Sequence, residues 1–396
     1  MSAQLLEQLT QEAYDVAIVD LVLNECSLAL ANRLGVPVVG WGINPTVGPL
    51  EFSTLSSLPA ITPIISSGLP VEMNFLQRTL NFLLKALSRL YQIYYTSCLD
   101  HQISKILGPV PSVNELVKNI SGLLVNSHAA LEYPRSYPPS FVNIGGFHIK
   151  EELNQLPPNI FHFLEGSGPD GAILFSLGFI FDPMAVPDEV VDTLLSAFAR
   201  LPQRVIIKSN SSQVAAPIPR NVMMVPWVPQ QEVLAHPATK LFITHCGTFG
   251  VLEAIYHGVP MVGMPIFVDQ PDILARIVEH GIGLGLDKYA TEEEVLAVVK
   301  EVRDNPSFRT RVKELGELIK LQRTSPLDDA VWMLEYVATT KGANHLKLPS
   351  RHLNLLQLYS VDSITVLFIT IGILLWFFHY FTLSFLSSYH SYRLHE

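Results

Sequence analysis

Cysteine is the first scarcity of this chain: Cys26, Cys98 and Cys246 are its three thiols in 396 residues, and no two form a CxxC pair. That count excludes a disulfide framework and argues against a structural zinc site. Basic charge is also short. Lys and Arg number 26 against 36 Asp and Glu, a formal net charge of −10, and no basic patch is interleaved with aromatics. A nucleic-acid partner is thereby disfavoured. No GxGxxG follows an early strand, since Gly281, Gly283 and Gly285 give only GxGxG; a dinucleotide oxidoreductase would fit the strand pattern but not the loops. No carboxylate pair or histidine cluster argues for a bound metal. The opening MSAQLLEQLTQEAYD lacks a basic n-region and a long apolar run, so it reads as an amphipathic helix rather than a signal peptide.

Near the other end the missing feature is charge of either sign. From Ser363 to Tyr392 there is no Asp, Glu, Lys or Arg. Ile364 to Leu386 would span roughly 35 Å as a helix, enough to cross a bilayer. A hydrophobic content of 48% and a mean hydropathy of +0.30 agree with a membrane segment, while a buried core helix is the competing reading. Lys341, Lys347 and Arg351 precede the span and Arg393 follows it, a bias that favours a cytoplasmic amino side.

What is present divides into two parts. Residues 1–145 carry the strand YDVAIVD (Tyr14–Asp20), a helix Asn24–Leu34, the run Val36–Val39 and a strand Gly122–Val125. Between them lie a Pro-, Ser- and Ile-rich loop (Ser53–Pro70) and a helical stretch from Val71 to about Leu107. Phe75, Leu76, Leu80, Leu83, Leu84, Leu87 and Leu90 recur there at helical spacing; core packing is the favoured reading, and a patch resting on a membrane the alternative. Tyr133–Gly146 reads as a linker. Residues 146–345 then alternate strands (Ala172–Ser176, Arg204–Lys208, Val222–Val225, Lys240–Thr244, Met261–Met264) with helices (Asp188–Arg200, Asp272–Glu279, Glu292–Arg303, Phe308–Gln322). Such alternation predicts a parallel sheet with helices on both faces. A juxtamembrane segment (346–362), the span (363–388) and a short tail (389–396) complete the division.

The chemistry concentrates between Trp227 and Gln270. The buried strand KLFIT runs into His245-Cys246-Gly247-Thr248-Phe249-Gly250, which opens a helix. The first turn of a helix carries unpaired N–H groups and the positive end of the dipole, so it suits a phosphate. Gly247 and Gly250 are read as removing side chains where a pyrophosphate approaches. Trp227 offers a flat indole face, although core filling is equally open, and Gln230 carries both a donor and an acceptor. Glu253 falls about two helical turns after Gly247, with a solvated helix face as the plainer reading. Asp269 could be only an N-cap.

Trp, Gln, His, Gly, Glu and Asp-Gln at these spacings resemble the signature of the UDP-dependent glycosyltransferases, which include the membrane-bound glucuronosyltransferases. The resemblance runs from Tyr14 to about Ser388. It implies an α/β fold of GT-B type, with two Rossmann-like doubly wound domains, the first incomplete, and a C-terminal transmembrane helix. It implies a UDP-sugar donor, a small lipophilic acceptor, no metal, and an inverting transfer to an acceptor hydroxyl. Trp227 would stack on uracil, Gln230 would bond base or ribose, and Glu253 would take the ribose hydroxyls. His245, Gly247, Thr248 and Gly250 would meet the diphosphate, together with the Ser176–Gly178 turn. Asp269 and Gln270 would hold the hexose. Asp20 matches the Asp that orients a catalytic His, and that His has no counterpart here: His101, His128 and His148 do not open a first strand. Cys246 and Phe249 stand where the family usually has Gly and Asn, Phe179 where it has Ser, and Ile273 where many vertebrate members have Asn.

The resemblance also implies domains in the endoplasmic reticulum lumen, against the charge count. The sequons at Asn119 and Asn210 are compatible with that location. The lack of an obvious arginine leans the donor toward a neutral hexose. The expected function is conjugation of lipophilic acceptors, with membrane lipid as a partner and self- or hetero-association open. The alternative is a shortened, non-catalytic member that binds UDP-sugar or pairs with and regulates full-length relatives.

Overall fold

The computed structural model describes residues 3–43, 58–135, 137–179, 181–184, 186–210 and 217–393. The start of the Ser53–Pro70 loop and the end of the Asn210 sequon lie outside them. Helix α1 (Ala3–Gln11) leads to a parallel four-stranded sheet of β1 (Ala17–Asp20), β2 (Val38–Gly42), β3 (Gly122–Val125) and β4 (Phe141–Asn143), in that spatial order. Helices α2 (Glu25–Arg33), α3 (Phe75–Leu107) and α4 (Val113–Lys118) join the strands. Strand β4 corrects the reading of Tyr133–Gly146 as linker alone. Three residues are too few to show a period, and only pairing with β3 (Leu123↔Phe141 to Val125↔Asn143) makes them a strand. Strand β1 is an edge, with Ile18 56% exposed beside exposed Tyr14, Val22 and Leu23.

Helix α3 overturns the core-packing expectation. Its buried residues include Asn81, Lys85, Gln92 and Thr96, whereas Phe75, Leu76, Leu80, Leu83, Leu87 and Leu90 are exposed. The inner face is polar because it serves backbone. Asn81 Nδ2 donates to Pro59 O (2.6 Å) and Thr62 O (2.9 Å), and its Oδ1 accepts from Ile64 N (2.8 Å). A capping box between Asn74 and Gln77 starts the helix.

After helix α5 (Pro158–Glu165) comes the second sheet. It comprises β5 (Ala172–Ser176), β6 (Arg204–Lys208), β7 (Val222–Val225), β8 (Thr239–Thr244), β9 (Met261–Gly263) and β10 (Gly283–Gly285). All pairings are parallel, in the order β10-β9-β8-β5-β6-β7. The chain moves outward from β5 to β7, then returns to the other side of β5. That reversal makes a switch point between β5 and β8, where ligands of open α/β sheets bind beyond the carboxyl ends of the strands. Helices α6 (Asp188–Ala199), α7 (Gln230–Ala235), α8 (Thr248–Tyr256), α9 (Gln270–Glu279), α10 (Glu292–Asp304) and α11 (Pro306–Lys320) accompany it. Two apolar cores occupy its faces, one around Leu174, Ile206 and Phe242, the other around Ile173, Phe175 and Ile207.

Helix α12 (Pro326–Thr339) returns to the first sheet instead of ending the second domain. Ala330, Met333 and Val337, at helical spacing, pack with Val39, Leu124 and Ile144. Gly122 admits them, since a Cβ there would stand 2.8 Å from Met333 Sδ. Packing therefore does not follow the expected 146–345 division, nor does Glu335–Leu346 simply lead away. Both sheets belong to one compact unit, Met1–Lys347.

The second unit, Leu348–Glu396, holds the short α13 (Leu355–Leu358) and α14 (Val361–Arg393). Its segment Val361–Leu386 is long and apolar enough to cross a membrane and has none of its length buried.

Candidate active site

The loops after β5 and β8 flank the switch point. Strand β8 is buried up to Thr244, then His245 and Cys246 lead to Gly247, the N-cap of α8. The first intrahelical bond runs from Val251 N to Gly247 O (3.0 Å), which leaves the N–H groups of Thr248, Phe249 and Gly250 without an intrahelical acceptor. His245 is clasped between two glycines. A Cβ on Gly178 would lie 2.7 Å from its Cε1, and one on Gly247 2.5 Å from its Nε2. Burial, assisted by the charge of Lys208, lowers the imidazole to about 4, so the ring is neutral near pH 7. His245 Nδ1 and Thr248 Oγ1 are buried and have no hydrogen-bond partner among the described residues. Buried polar groups are normally hydrogen-bonded, and these two stand together at the start of α8, where a ligand's polar groups can satisfy them.

Cys246 adopts a left-handed φ of +66°, which explains why glycine suits this position. Its thiol is buried, and burial followed by the charge of Asp269 pushes its ionisation up. Gly263 makes room for it, because a Cβ there would collide with Cys246 Sγ.

Beside this loop is a cleft of about 520 Å³. Trp227, Gln230, Glu253, Ser176 and Gly178 line it, five of the expected site residues. Trp227 is 66% exposed, so its indole does not fill core. Gln230 Nε2 donates to Glu253 Oε2 at 2.6 Å, which also removes the solvated-face reading of Glu253. The space at Gly250 belongs to Gln230, whose Nε2 would be 3.1 Å from a Cβ. The space at Gly247 belongs to His245. The physical reason expected for both glycines is therefore corrected: they accommodate side chains of this chain.

His148 and Lys208 also line the cleft; in sequence reasoning His148 is weighed only as a catalytic base and set aside, and Lys208 has no site role. Lys208 Nζ donates to Gly178 O (2.5 Å). The only sequence signal for Lys208 was a charged residue closing the apolar run Val205–Ile207. The signal for His148 was its place directly after Gly145-Gly146-Phe147.

Asp269 and Gln270 do not line this cleft. Asp269 is buried at the N-cap position of α9 but makes no side-chain capping bond, contrary to the plain N-cap reading. Gln270 Oε1 accepts from Ile266 N (2.6 Å) and Phe267 N (3.1 Å), leaving its amino group as the remaining donor. One turn on, Asp272 takes Ser66 N (2.7 Å) and Gly68 N (2.8 Å), which ties α9 to the loop ahead of α3. Asp20 ends β1, accepts from Val22 N (3.0 Å), and lies outside the cleft. Its register partner Trp41 packs edge-on to Phe249 of the His245 loop, ring centroids 6.3 Å apart. The strand end carrying Asp20 thus neighbours the one that touches the donor-side loop.

Two Rossmann-like parallel sheets, with buried polar atoms and a helix start at the switch point of the second, define a GT-B glycosyltransferase fold. Os79 from O. sativa, solved in complex with UDP, shares that fold: TM-score 0.55, 20% identity, covering 85% of this chain and 80% of that one. The chain belongs to the UDP-glucoronosyl and UDP-glucosyl transferase family, whose model matches residues 1–389. It is 34% identical over 369 residues to UDP-glucuronosyltransferase 2C1 of Oryctolagus cuniculus, covering 92% of this chain and 72% of that protein. It is equally 34% identical over 362 residues to UDP-glucosyltransferase 2 of Dactylopius coccus, covering 89% and 69%. Membership makes it a UDP-glycosyltransferase, an enzyme that moves a sugar from a UDP-sugar to an acceptor.

Proposed function

We propose that the chain conjugates a hexosyl or glucuronosyl group to a hydroxyl of a small lipophilic acceptor, with inversion at the anomeric carbon. Uracil lies on Trp227, the ribose meets Gln230 and Glu253, and the diphosphate meets the α8 N–H groups, His245 and Thr248. Asp269 and the Gln270 amino group read the hexose. As the acceptor oxygen attacks the anomeric carbon, the bond to the diphosphate breaks and charge gathers on the leaving oxygens. Donors fixed in advance stabilise that charge most in the transition state. This reading assigns no metal to the reaction. The observation that carries it is the pair of buried, unpartnered polar atoms, His245 Nδ1 and Thr248 Oγ1, at the start of α8. A donor screen of the purified chain with UDP-glucose and UDP-glucuronate against a lipophilic phenol tests it, the product's anomeric configuration being read by NMR. Retention of configuration would refute the inverting step.

Asp20 supports a second reading. Its carboxylate accepts from the Val22 amide, and among the described residues no histidine hydrogen-bonds it. A chain that binds UDP without turnover, yet alters the rate of a co-expressed full-length relative, would fit a regulatory partner instead.

The α14 span anchors the chain as a single-pass protein of the endoplasmic reticulum, with both sheets in the lumen. The outward apolar face of α3 then rests on lipid. Asn119 is an exposed sequon position, and an endoglycosidase-sensitive mass shift lost in Asn119→Gln would support the lumenal side.

A further inference from the structure

Each oxygen of Glu253 has a nitrogen neighbour, a hydrogen-bonded one at Oε2 and a longer polar contact at Oε1. Gln230 donates to Oε2 at 2.6 Å, and His148 Nε2 lies 3.5 Å from Oε1 and 3.3 Å from Phe249 O. Both neighbours of Nε2 are acceptors, so that nitrogen carries the proton. The imidazole is fixed from the side by Phe249 and Phe147, with ring centroids 4.7 Å and 5.8 Å away at steep angles.

His148 comes from outside the second sheet, on the segment that follows β4. That segment is fastened to α7 next to Gln230: Lys150 N donates to Gln231 Oε1 (3.2 Å) and Gln231 Nε2 donates to Lys150 O (3.0 Å). The connection between the sheets is therefore part of the cleft wall and brings an imidazole nitrogen within 3.5 Å of the carboxylate.

We infer that His148 is a positioning residue for nucleotide recognition. It holds the Glu253 carboxylate in the one orientation that meets both hydroxyls of a ribose, so the chain's preference for a ribonucleoside diphosphate depends on it. This rests on the reading of Glu253 as the ribose acceptor. A carboxylate pinned by Gln230 alone keeps its place but regains rotation about its terminal bond, and a two-point contact to a diol is sensitive to that freedom.

The test pairs a protein change with a ligand change in the full chain, using UDP and 2′-deoxy-UDP as titrants. His148→Phe keeps a ring against Phe249 and removes the donor, while His148→Gln restores a donor near the Nε2 position. His148→Phe is expected to weaken UDP about tenfold and 2′-deoxy-UDP less than about twofold, with His148→Gln recovering most of the loss. Equal weakening of both nucleotides, or of neither, overturns the inference. Glu253→Gln separates the two levels. If it abolishes discrimination between the nucleotides while His148→Phe leaves discrimination intact, Glu253 keeps its role and His148 loses its own. If Glu253→Gln leaves discrimination intact, the ribose reading and the inference fail together.

Discussion

Gly178 leaves the space that the imidazole of His245 occupies: a Cβ at 178 would stand 2.7 Å from His245 Cε1. The glycine also sits at φ +80°, a region that other residues enter with strain. Gly178→Ala therefore meets two penalties, one in the backbone and one against a clasped ring. It should cost about 3 kcal/mol of stability in chemical denaturation. The same change displaces His245, so UDP affinity in calorimetry should fall more than in Phe179→Ala. Phe179 is 85% exposed next door, and its removal should stay within about 0.5 kcal/mol of the parent.

The neutral state of His245 gives stability a pH signature. Its folded value of about 4 lies below the ordinary imidazole value of 6.5. Between those values the unfolded chain takes up a proton that the folded chain refuses, so stability falls as pH drops from 6.5 toward 4 and levels off below. One such group contributes a slope of at most ~1.4 kcal/mol per pH unit. Burial lowers His128 and His257 in the same direction, while Asp272, raised by burial, acts with opposite sign above pH 3.8. The contribution of His245 is therefore isolated as a difference. Denaturation midpoints of His245→Gln should depend less steeply on pH than those of the parent between pH 4 and 6.5. Parallel curves would contradict the burial of a neutral imidazole.

Legibility from sequence followed the length of the signal. The second sheet could be read because strands such as Ala172–Ser176 and Thr239–Thr244 are apolar, regularly spaced and bounded by turns. The donor-side residues clustered because one β-loop-α unit carries His245, Thr248 and Glu253 together. Strand β4 was hidden, since three residues have no period. The return of α12 to the first sheet was hidden for another reason. Ala330, Met333 and Val337 announce an amphipathic helix but not which sheet it covers. His148 and Lys208 reach the cleft from separate elements, and only tertiary pairing brings them beside Glu253 and Gly178. Helix α3 misled because periodicity reports a one-sided apolar stripe without reporting which way it faces.

That stripe makes its own prediction. On α3, Leu83 and Leu87 are exposed while Lys85 is buried. Replacing both leucines by glutamate should leave folding in detergent within about 0.5 kcal/mol of the parent, as for other surface changes. A buried pair would instead cost several kcal/mol. A polarity-sensitive probe on Leu87→Cys should report an apolar setting when the chain is reconstituted into vesicles. A water-like signal there would oppose the lipid-resting face, whatever the stability shows.

Trp227 supplies the most direct check of the donor orientation. Its indole is 66% exposed at the cleft mouth and makes little of the core, so Trp227→Ala should leave the unfolding midpoint nearly unchanged. Stacking of a base on an aromatic ring contributes about 1–3 kcal/mol. The same substitution should therefore weaken UDP by about tenfold or more, and Trp227→Phe should restore part of that loss because a smaller ring still offers a flat face. Inorganic diphosphate, which has no base to stack, should bind the parent and Trp227→Ala alike, since its contacts are with the start of α8. If Trp227→Ala weakens diphosphate as much as UDP, the indole acts by supporting the cleft rather than by meeting uracil.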